Sequence, residues 1–521
     1  MPDSPRDSAA RRAVALGSIE AETLVIVPSP LLYYGVAELL GSTADSVVLL
    51  CVECDHKLAE LSRKHADTQA TRHPRILHVE STDPEIVLRT VQTAYGWSFR
   101  RVRIAALNGG YALHRAIYDA LLESLTRHNR NHWQNQITLI RMSRLWTRNV
   151  FQNLALYRSR TARPGFVTST PAVVAGAGES LERAVPWLLK YRDKFTLVAV
   201  DTAVGSLASC RLSPDVVVIV EGQVANYRDF VSVSTLRSDP DIRIVADLIS
   251  APAVLRHFRS KPDFFVSQFA STHLFQRLAE QSLLPPVAPA LGSVGVTALH
   301  LALTMTAGRV LLTGLDFSYR PGKSHARGSP AHLDQLHAAS RVRPVDATPS
   351  TFARDATRLK ARDSSFVYTD MVLRGYGELV EGYAQTTGRV FDTNRASIID
   401  GVPYLTREEL DEFFSSFASR ADPATESDAG SVSISAEHVR EFLENELQLV
   451  NEARSASVSV INRRSVFRSI LPNLEPVDYL YLDFPDFSGA PNGDSSFLSR
   501  VIASSAYYAG VIRRAISLIR L

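Results

Sequence analysis

Short apolar runs alternate with helix-like segments along the first two thirds of the chain. Helical patterns separate the runs of the first block, in YYGVAELL at 33–40 and from Pro84 to Tyr95. This alternation is typical of βαβ units, so we predict a Rossmann-like domain with a parallel sheet over residues 1–165. The apolar runs of this block are TLVIVP (23–28), SVVLLCVEC (46–54), ILHVE (76–80) and RVRIAAL (101–107).

A second block of the same kind begins near Gly165. Helical segments separate several of its runs, which predicts a doubly wound α/β domain over residues 166–400. Residues 331–365 are polar and poor in strand-forming residues, so we expect a lid or an insertion there. The apolar runs of this block are AVVAGAG (172–178), FTLVAVD (195–201), DVVVIVE (215–221), IRIVADL (242–248), DFFVSQF (263–269) and RVLLTGLDF (309–317).

The composition changes after Arg420, where RADPATESDAGSVSIS has the character of a linker. Ser435 is placed to cap a helix, and the last stretch, 497–521, is also helical in pattern. The apolar positions of the first of these helices are Val439, Phe442, Leu443, Leu447 and Val450. We therefore predict a linker and a mostly helical region over 401–521, which either recognises an acceptor protein or packs on the sheet.

Composition and charge exclude several classes of protein. With 45% hydrophobic and 21% charged residues, the chain of 521 residues is an ordinary soluble globular protein. A net charge of +3 predicts no nucleic-acid partner. The longest uncharged run, 281–308, contains three prolines, so we predict no membrane span. Cys51 and Cys54 lie in an apolar run, which favours reduced core cysteines in a cytoplasmic protein.

The turn after the first strand argues against a bound cofactor. It reads PSPLLYYG at 28–35, where a dinucleotide site needs G-x-G-x-x-G. Glu53 or Asp55 stands near the position of a ribose-binding acid, but without the glycines a pyrophosphate cannot approach the backbone. We therefore expect the first domain to bind neither NAD nor S-adenosylmethionine, and the protein to require no cofactor.

Polar residues follow several strands of the second block. Carboxyl ends of parallel strands meet at one edge of a sheet, where α/β proteins bind ligands. A glycine turn there also brings N–H groups to an anion, although glycine serves many turns only for its backbone freedom. The predicted binding residues are Gly176, Gly178 and Ser180 after the first strand, Asp201 and Thr202 after the second, and Glu221 after the third; Asp316 follows the last.

A second glycine-containing helix start lies in LGSVGVTALHLAL at 291–303. Its Gly292, Ser293 and Thr297 are predicted to bind a carboxylate or phosphate through N–H groups and hydroxyls. An ordinary N-cap at Ser293 on a buried helix explains the same pattern.

The loop GLDFSYRPGKSHARG, at 314–328, adds Tyr319, Lys323 and His325. Histidine has a pKa suited to taking a proton from a hydroxyl near neutral pH. His332 and His337 lie close by, but the spacing of the three histidines matches no compact ligand motif, so no metal site is predicted.

These segments together resemble the motility-associated factor (Maf) family of flagellin glycosyltransferases. The resemblance covers nearly the whole chain, and the ordered set is more specific than any one segment. The segments that carry it are VECDHKL (52–58), SRLWTRNVFQNL (143–154), VVAGAGESL (173–181), VAVDTAVGSL (198–207), SPDVVVIVEGQ (213–223), the run from Leu291 to Tyr319, GKSHARG (322–328), YTDMVL (368–373) and RVFDTNRASIIDGVPY (389–404).

The resemblance implies two Rossmann-like parallel-sheet domains in tandem, followed by a mostly helical region. The central domain, MptE-like, is also similar to bacterial sialyltransferases that use CMP-sialic acid. The implied reaction moves a nonulosonic acid, of the pseudaminic or legionaminic type, from its CMP form to serine or threonine hydroxyls of flagellin. His325 is then the candidate base, Tyr319 and Asp316 complete the catalytic group, and Lys323 joins the residues that bind the nucleotide.

Two alternatives share the same sheet. The central region also resembles 6-hydroxymethylpterin pyrophosphokinase, which needs Mg²⁺ and ATP and should cluster carboxylates for the metal. Only Glu221 stands in the segment VEGQVAN, which is acid-rich in that family. The other alternative is a non-catalytic flagellin-binding assembly factor on a transferase fold.

Overall fold

The computed structural model of the protein contains two compact units. The first contains residues 1–141 and 483–491, and the second contains residues 142–482 and 492–521. The structure describes residues 4–66, 72–157, 159–160, 168–231, 233, 241–320, 322–342, 344–345, 356–417, 432–485, 491 and 493–519. Most of the predicted linker, 418–431, and part of the predicted lid, at 343 and 346–355, lie outside the described residues.

The first unit is built around a four-stranded parallel sheet of order β3-β2-β1-β4. Every residue of β1 and β2 is buried, as expected for strands covered on both faces. The elements are α1 Pro5–Ala15, β1 Thr23–Pro28, α2 Val36–Gly41, β2 Val48–Val52, α3 His56–His65, β3 Ile76–Val79, α4 Pro84–Tyr95, β4 Arg101–Ile104, α5 Gly110–Leu113 and α6 Arg115–Leu154.

The turn after β1 has an unusual backbone. Ser29, Leu31 and Tyr33 all have positive φ, a conformation that glycine adopts at least cost. Glu53, the expected ribose-binding acid, instead accepts a hydrogen bond from Ser29 Oγ at 2.7 Å and one from the Asp55 amide at 3.1 Å. Glu53 is therefore bonded to the turn after β1 and to the start of the segment that follows β2. The absence of a cofactor in this unit stays a prediction.

The second unit contains an eight-stranded parallel sheet of order β11-β10-β9-β8-β7-β6-β12-β15. The apolar helix α12 packs against β6, β7 and β12. The elements up to the last strand of this sheet are β5 Ser159–Arg160, β6 Ala172–Ala175, α7 Ser180–Lys190, β7 Thr196–Val200, α8 Val204–Ser209, β8 Val216–Ile219, α9 Arg228–Val231, β9 Arg243–Asp247, α10 Pro252–Leu255, β10 Asp263–Ser267, α11 His273–Glu280, β11 Val287–Ala288, α12 Val294–Met305, β12 Val310–Thr313, α13 Pro330–Ala338, β13 Thr357–Lys360, β14 Phe366–Thr369, α14 Met371–Thr387 and β15 Val390–Asp392.

The end of α6 holds two loops of this sheet. Asn149 Nδ2 donates to the carbonyls of Gly222 and Ile249 at 2.9 and 2.8 Å. Asn153 Nδ2 donates to the carbonyls of Leu248 and Ser250 at 2.9 and 2.8 Å. Because a buried carbonyl without a partner is costly, the last turns of α6 are part of the second unit's structure.

The C-terminal helices belong to the same unit. α16 and α18 pack along each other, and the Ser435 side chain caps α16 by accepting from the His438 amide, as predicted. Arg277 on α11 pairs with Glu446 on α16, which is 1% exposed. These helices therefore pack against the α/β part of the unit. The remaining elements are α15 Arg407–Ser415, β16 Val432–Ser433, α16 Ala436–Ile461, α17 Phe467–Leu474 and α18 Ser495–Leu518.

The predicted fold class is confirmed: the structure has two parallel sheets and a helical C-terminal region. Each predicted strand is present, usually one to three residues shorter than its apolar run. The division at 165 and 400 stays a prediction, while the compact units divide at 141, inside α6. Within the described residues, no helix has both the length and the apolar character needed to span a membrane.

Candidate functional site

A cavity of about 580 Å³ lies at the carboxyl edge of the eight-stranded sheet. The turns after β6 and β12, the start of α12 and the helix α13 line it. A cavity at this edge is where an open α/β sheet is expected to bind a ligand. The predicted residues that line it are Gly176, Gly178, Thr202, Ser293, Asp316, Tyr319 and His325; those that do not are Ser180, Asp201, Glu221, Gly292, Thr297 and Lys323.

The glycines after β6 allow two backbone segments to touch. A Cβ built on Gly176 would lie 2.3 Å from the Gly314 carbonyl oxygen, and one on Gly314 would lie 2.1 Å from the Gly176 oxygen. Gly314 also has a φ of +66°. No other residue fits at these two positions without moving the chain. Close approach of the turns after β6 and β12 therefore explains these glycines without a ligand.

The amides of this turn are used within the protein. Gly176 N–H donates to the Thr313 carbonyl and Gly178 N–H to the Gly314 carbonyl, both at 2.8 Å. The Ser180 amide donates to Asp316 Oδ2 at 2.9 Å. The sequence predicts that N–H groups of this turn bind an anion, but these three donate to acceptors within the protein. A phosphate in the cavity would need other donors.

The Asp316 carboxylate accepts hydrogen bonds from the turn after β6 and from the segment after β15. Besides the Ser180 amide, it accepts bonds from Ser180 Oγ and from Asn394 Nδ2, the latter at 3.1 Å. Its carboxyl is almost fully buried, and that burial raises its pKa to about 6. Ser180 Oγ in turn accepts from the Gly314 amide at 2.9 Å. Asp316 and Ser180 thus position the glycine turn, and the catalytic and binding tasks predicted for them stay predictions.

His325 and Tyr319 reach the cavity from a loop that is fixed at two points. Tyr319 and Tyr368 exchange backbone hydrogen bonds of 2.8 Å, and the Ala326 amide donates to the Ala177 carbonyl at 2.8 Å. His325 Nδ1 lies 3.0 Å from Ser324 Oγ. Burial lowers the pKa of His325 below its ordinary value, so the imidazole is neutral near neutral pH and can accept a proton.

Lys323 comes from the same loop but serves an ion-pair cluster. Its Nζ lies 2.9 Å from Glu182 Oε2 and 3.8 Å from Glu179 Oε1. Arg320 and Arg327 also pair with these two carboxylates. The positive charge of Lys323 is therefore already paired with the carboxylates of Glu182, on α7, and Glu179, the residue before α7.

The acids after β7 and β8 also bond within the protein. Asn226 Nδ2 donates to Asp201 Oδ2 and to Asp229 Oδ2, both at 2.8 Å. Burial raises the pKa of Asp201 to about 6 and that of Asp229 to about 7. Glu221 accepts from the Gln223 amide at 2.7 Å. Of the residues predicted after β7 and β8, Thr202 is the one that lines the cavity.

Of the three residues predicted at the start of α12, Ser293 lines the cavity, and Gly292 and Thr297 do not. Ser293 lines the cavity at the N-cap position, and its side chain makes no capping bond. The Thr297 hydroxyl donates to the Ser293 carbonyl at 2.9 Å, and the Gly292 carbonyl accepts from the Tyr376 hydroxyl at 2.7 Å. Ser293 therefore lines the cavity, while Thr297 bonds within the helix and Gly292 bonds to Tyr376.

Sequence reasoning missed several residues of the site. Asp334 and Gln335 line the cavity from α13, inside the segment interpreted as a lid or insertion. Ser329 caps this helix and Pro330 begins it, a start signal that is readable in the sequence. Asn394 and Asn226, which hold Asp316 and Asp201, carry no such signal. Among the described residues, no group of three or more His, Cys, Asp and Glu side chains is placed to hold a metal ion.

Comparison with known proteins matches part of the chain to a named domain family. Residues 146–322 match the family described as 6-hydroxymethylpterin diphosphokinase MptE-like. The chain is 28% identical to an uncharacterized protein of Treponema pallidum (strain Nichols), over 96% of this chain and 90% of that protein. A second uncharacterized protein of the same organism is 33% identical over 17% of this chain and 42% of its own length.

A solved structure matches the chain over its whole length. It is the Maf glycosyltransferase from Magnetospirillum magneticum AMB-1, with a TM-score of 0.56 and 16% sequence identity, covering 100% of this chain and 83% of that one. At this identity the match concerns the fold. Residues 146–322 thus match the MptE-like family of domains, within a chain whose fold is similar to that of a Maf glycosyltransferase.

Proposed function

We propose that the protein is a glycosyltransferase that moves a nonulosonic acid from its CMP form to serine or threonine hydroxyls of flagellin. The observation that carries the proposal is a partly buried histidine, with its pKa lowered by that burial, on a fixed loop beside a cavity large enough for a nucleotide sugar. The fold shared with a Maf glycosyltransferase supports the transferase class. The sugar and the acceptor come from the resemblance of the sequence.

In the proposed reaction, the bond between the anomeric carbon and the phosphate oxygen breaks, and its electron pair leaves with CMP. The acceptor hydroxyl forms the new bond to the anomeric carbon and gives its proton to His325. General-base help of this kind is worth about 10²–10⁴ in rate. Tyr319 and Ser293 are among the residues that line the same cavity, and their hydroxyls are the proposed donors to the leaving phosphate or to the sugar carboxylate.

Substitution of His325 tests the role of the base. We expect His325→Ala to lower the transfer rate by about a hundredfold or more, because proton removal occurs in the chemical step. CMP binding should change little. The measurement is transfer to purified flagellin, followed by intact mass, with calorimetry for CMP. His337→Ala, an exposed histidine on α13 outside the cavity, is the matched control. Full transfer by His325→Ala would remove His325 from the mechanism.

One alternative keeps the support of a specific observation. The family matched by residues 146–322 is described as a diphosphokinase, which suggests phosphoryl transfer from ATP. Such chemistry generally enlists Mg²⁺ held by carboxylates. In this structure Asp201 and Asp316 accept hydrogen bonds from protein groups instead.

Nucleotide preference separates the candidates. We expect calorimetry on the full chain to show binding of CMP or CDP that chelator does not affect, with weaker binding of ATP. A single bridging phosphate needs only hydrogen-bond donors, whereas a triphosphate carries more charge to neutralise. Tight ATP binding that requires Mg²⁺, with CMP ignored, would establish the diphosphokinase. Indifference to both nucleotides would leave the non-catalytic assembly factor.

A further inference from the structure

A second, smaller cavity lies beside α7, outside the site described above. It has a volume of about 170 Å³ and is lined by α7, by the segment after β15 and by the start of α15. Part of its lining is apolar and comes from Trp187, Leu405 and Leu410. Two residues with hydroxyl groups, Thr393 and Tyr404, also line it. None of these residues was assigned a function from the sequence.

Three arginines from three different elements line this cavity: Arg183 on α7, Arg395 after β15 and Arg407 at the first position of α15. We call it the arginine pocket. Arg183 donates to Asn394 Oδ1 at 3.0 Å and lies 3.5 Å from Glu179. The side chains of Arg395 and Arg407, both exposed, make no hydrogen bond or ion pair with any residue that the structure describes. Two guanidinium groups thus line a concave site without a protein partner.

Carboxylates near the arginine pocket are engaged elsewhere. Asp363 and Asp411 interact electrostatically with Arg395 and Arg407 over a distance, without forming ion pairs. Asp411 accepts instead from Lys190 at 3.1 Å and from the Tyr191 hydroxyl at 2.7 Å. Arg183 is paired with Glu179, but no carboxylate of the described residues matches the charges of Arg395 and Arg407 by direct contact.

We propose that the arginine pocket binds a phosphate group. A guanidinium fork matches the oxygens of carboxylate and phosphate equally well, but two arginines without a protein partner, beside a third that is already bonded, suit the higher charge of phosphate. The volume is below the roughly 300 Å³ at which pockets for complete drug-sized ligands begin. The ligand is thus inorganic phosphate or the phosphate end of a larger molecule.

The position of the arginine pocket connects it to the larger cavity. Arg183 donates to Asn394 Oδ1, and Asn394 Nδ2 donates to Asp316 Oδ1 at 3.1 Å. Asp316 holds Ser180, which lies at the edge of the arginine pocket. Arg183, which would bind the phosphate, is therefore two hydrogen bonds from the carboxylate that positions the glycine turn.

The test is calorimetry of the full chain with inorganic phosphate at constant ionic strength. We expect the wild type to bind phosphate and the double variant Arg395→Gln/Arg407→Gln to bind it at least about tenfold more weakly, because two charged forks are lost. Arg454→Gln, an exposed arginine on α16, is the matched control and should bind as the wild type does. If the double variant does not fold, Arg395→Lys keeps the charge, removes the fork and should still weaken binding.

A titration with CMP distinguishes the two sources of phosphate. Loss of phosphate binding with CMP binding retained identifies free phosphate as the ligand, and loss of both identifies the phosphate end of the nucleotide. No phosphate binding by the wild type at about 10 mM would overturn the proposal. Equal binding by the wild type and the double variant would also overturn it, since the anion would then bind elsewhere.

Discussion

At the scale of single residues, the polar groups at the carboxyl edge of the large sheet divide into two sets. Thr202, Ser293, Tyr319 and His325 line the cavity. In the second set, carboxylates bond to groups of the protein, as Asp201 does to Asn226; Asp316 belongs to both sets, because it lines the cavity and also holds the glycine turn through Ser180. The sequence shows which strand ends carry polar residues, but not which direction each side chain takes.

Substitution of Gly176 tests whether the turn after β6 requires glycine because of close packing. We expect Gly176→Ala to lower the free energy of unfolding by about 1–3 kcal/mol or more, because the added Cβ meets the Gly314 carbonyl. Gly382→Ala, on α14 with open space around it, should raise that free energy by about 0.5–1 kcal/mol. Denaturant titration measures both. A neutral Gly176→Ala would show that the two turns separate without cost.

Asp229 predicts a dependence of stability on pH. Its pKa of about 7 lies above the ordinary value, so between about pH 4 and 7 the folded protein binds more protons than the unfolded chain. Its contribution to stability therefore falls as the pH rises through this range. We expect Asp229→Asn to raise the melting temperature at pH 8, where the carboxylate is charged beside Asp201, and to change it little at pH 5. Asp400→Asn, an exposed carboxylate, is the control, and an equal effect at both pH values would contradict the assignment.

At the scale of elements, strands and several helix starts could be predicted because their signals are local. Apolar runs marked the strands, and Ser435 marked the start of α16. The helix α6 was missed, although Arg115–Leu154 contains neither glycine nor proline. The role of Asn149 and Asn153 at its end could not be seen, because their bonding partners lie 73 to 100 residues further along the chain.

The ion pair between α11 and α16 predicts that the C-terminal helices are needed for the stability of the unit. We expect Glu446→Ala to lower the free energy of unfolding by about 3–5 kcal/mol, because it leaves the Arg277 guanidinium without its carboxylate in a largely buried site. Glu444→Ala, exposed on the same helix, should change it by less than about 0.5 kcal/mol. Thermal or denaturant unfolding decides. A mild effect of Glu446→Ala would support a separately attached acceptor-binding helix.

At the scale of the whole molecule, the division into units sets where the chain can be cut. Residues 142–154 of α6 belong to the second unit, and their two asparagines satisfy four carbonyls of its loops. A chain beginning at 166 leaves those carbonyls unpaired, at about 1 kcal/mol or more each.

We therefore expect a protein of residues 142–521 to melt cooperatively and at a clearly higher temperature than one of residues 166–521. Calorimetry of the two fragments at equal concentration measures the difference. Equal melting temperatures would show that the end of α6 contributes nothing to the second unit, and would favour the division at 165 predicted from the apolar pattern.

The two-point attachment of the loop that carries His325 has a consequence for entropy. A catalytic base on a flexible loop must be ordered each time the substrate binds. This ordering costs about 1–2 kcal/mol of conformational entropy for each backbone residue. Here the exchanged bonds with Tyr368 and the bond from Ala326 to Ala177 order the loop as the chain folds. The Ala326 amide, on a fully buried residue, should therefore exchange its hydrogen slowly in the protein alone and only slightly more slowly after CMP is added. Its exchange rate reports whether the site is ready before any substrate arrives.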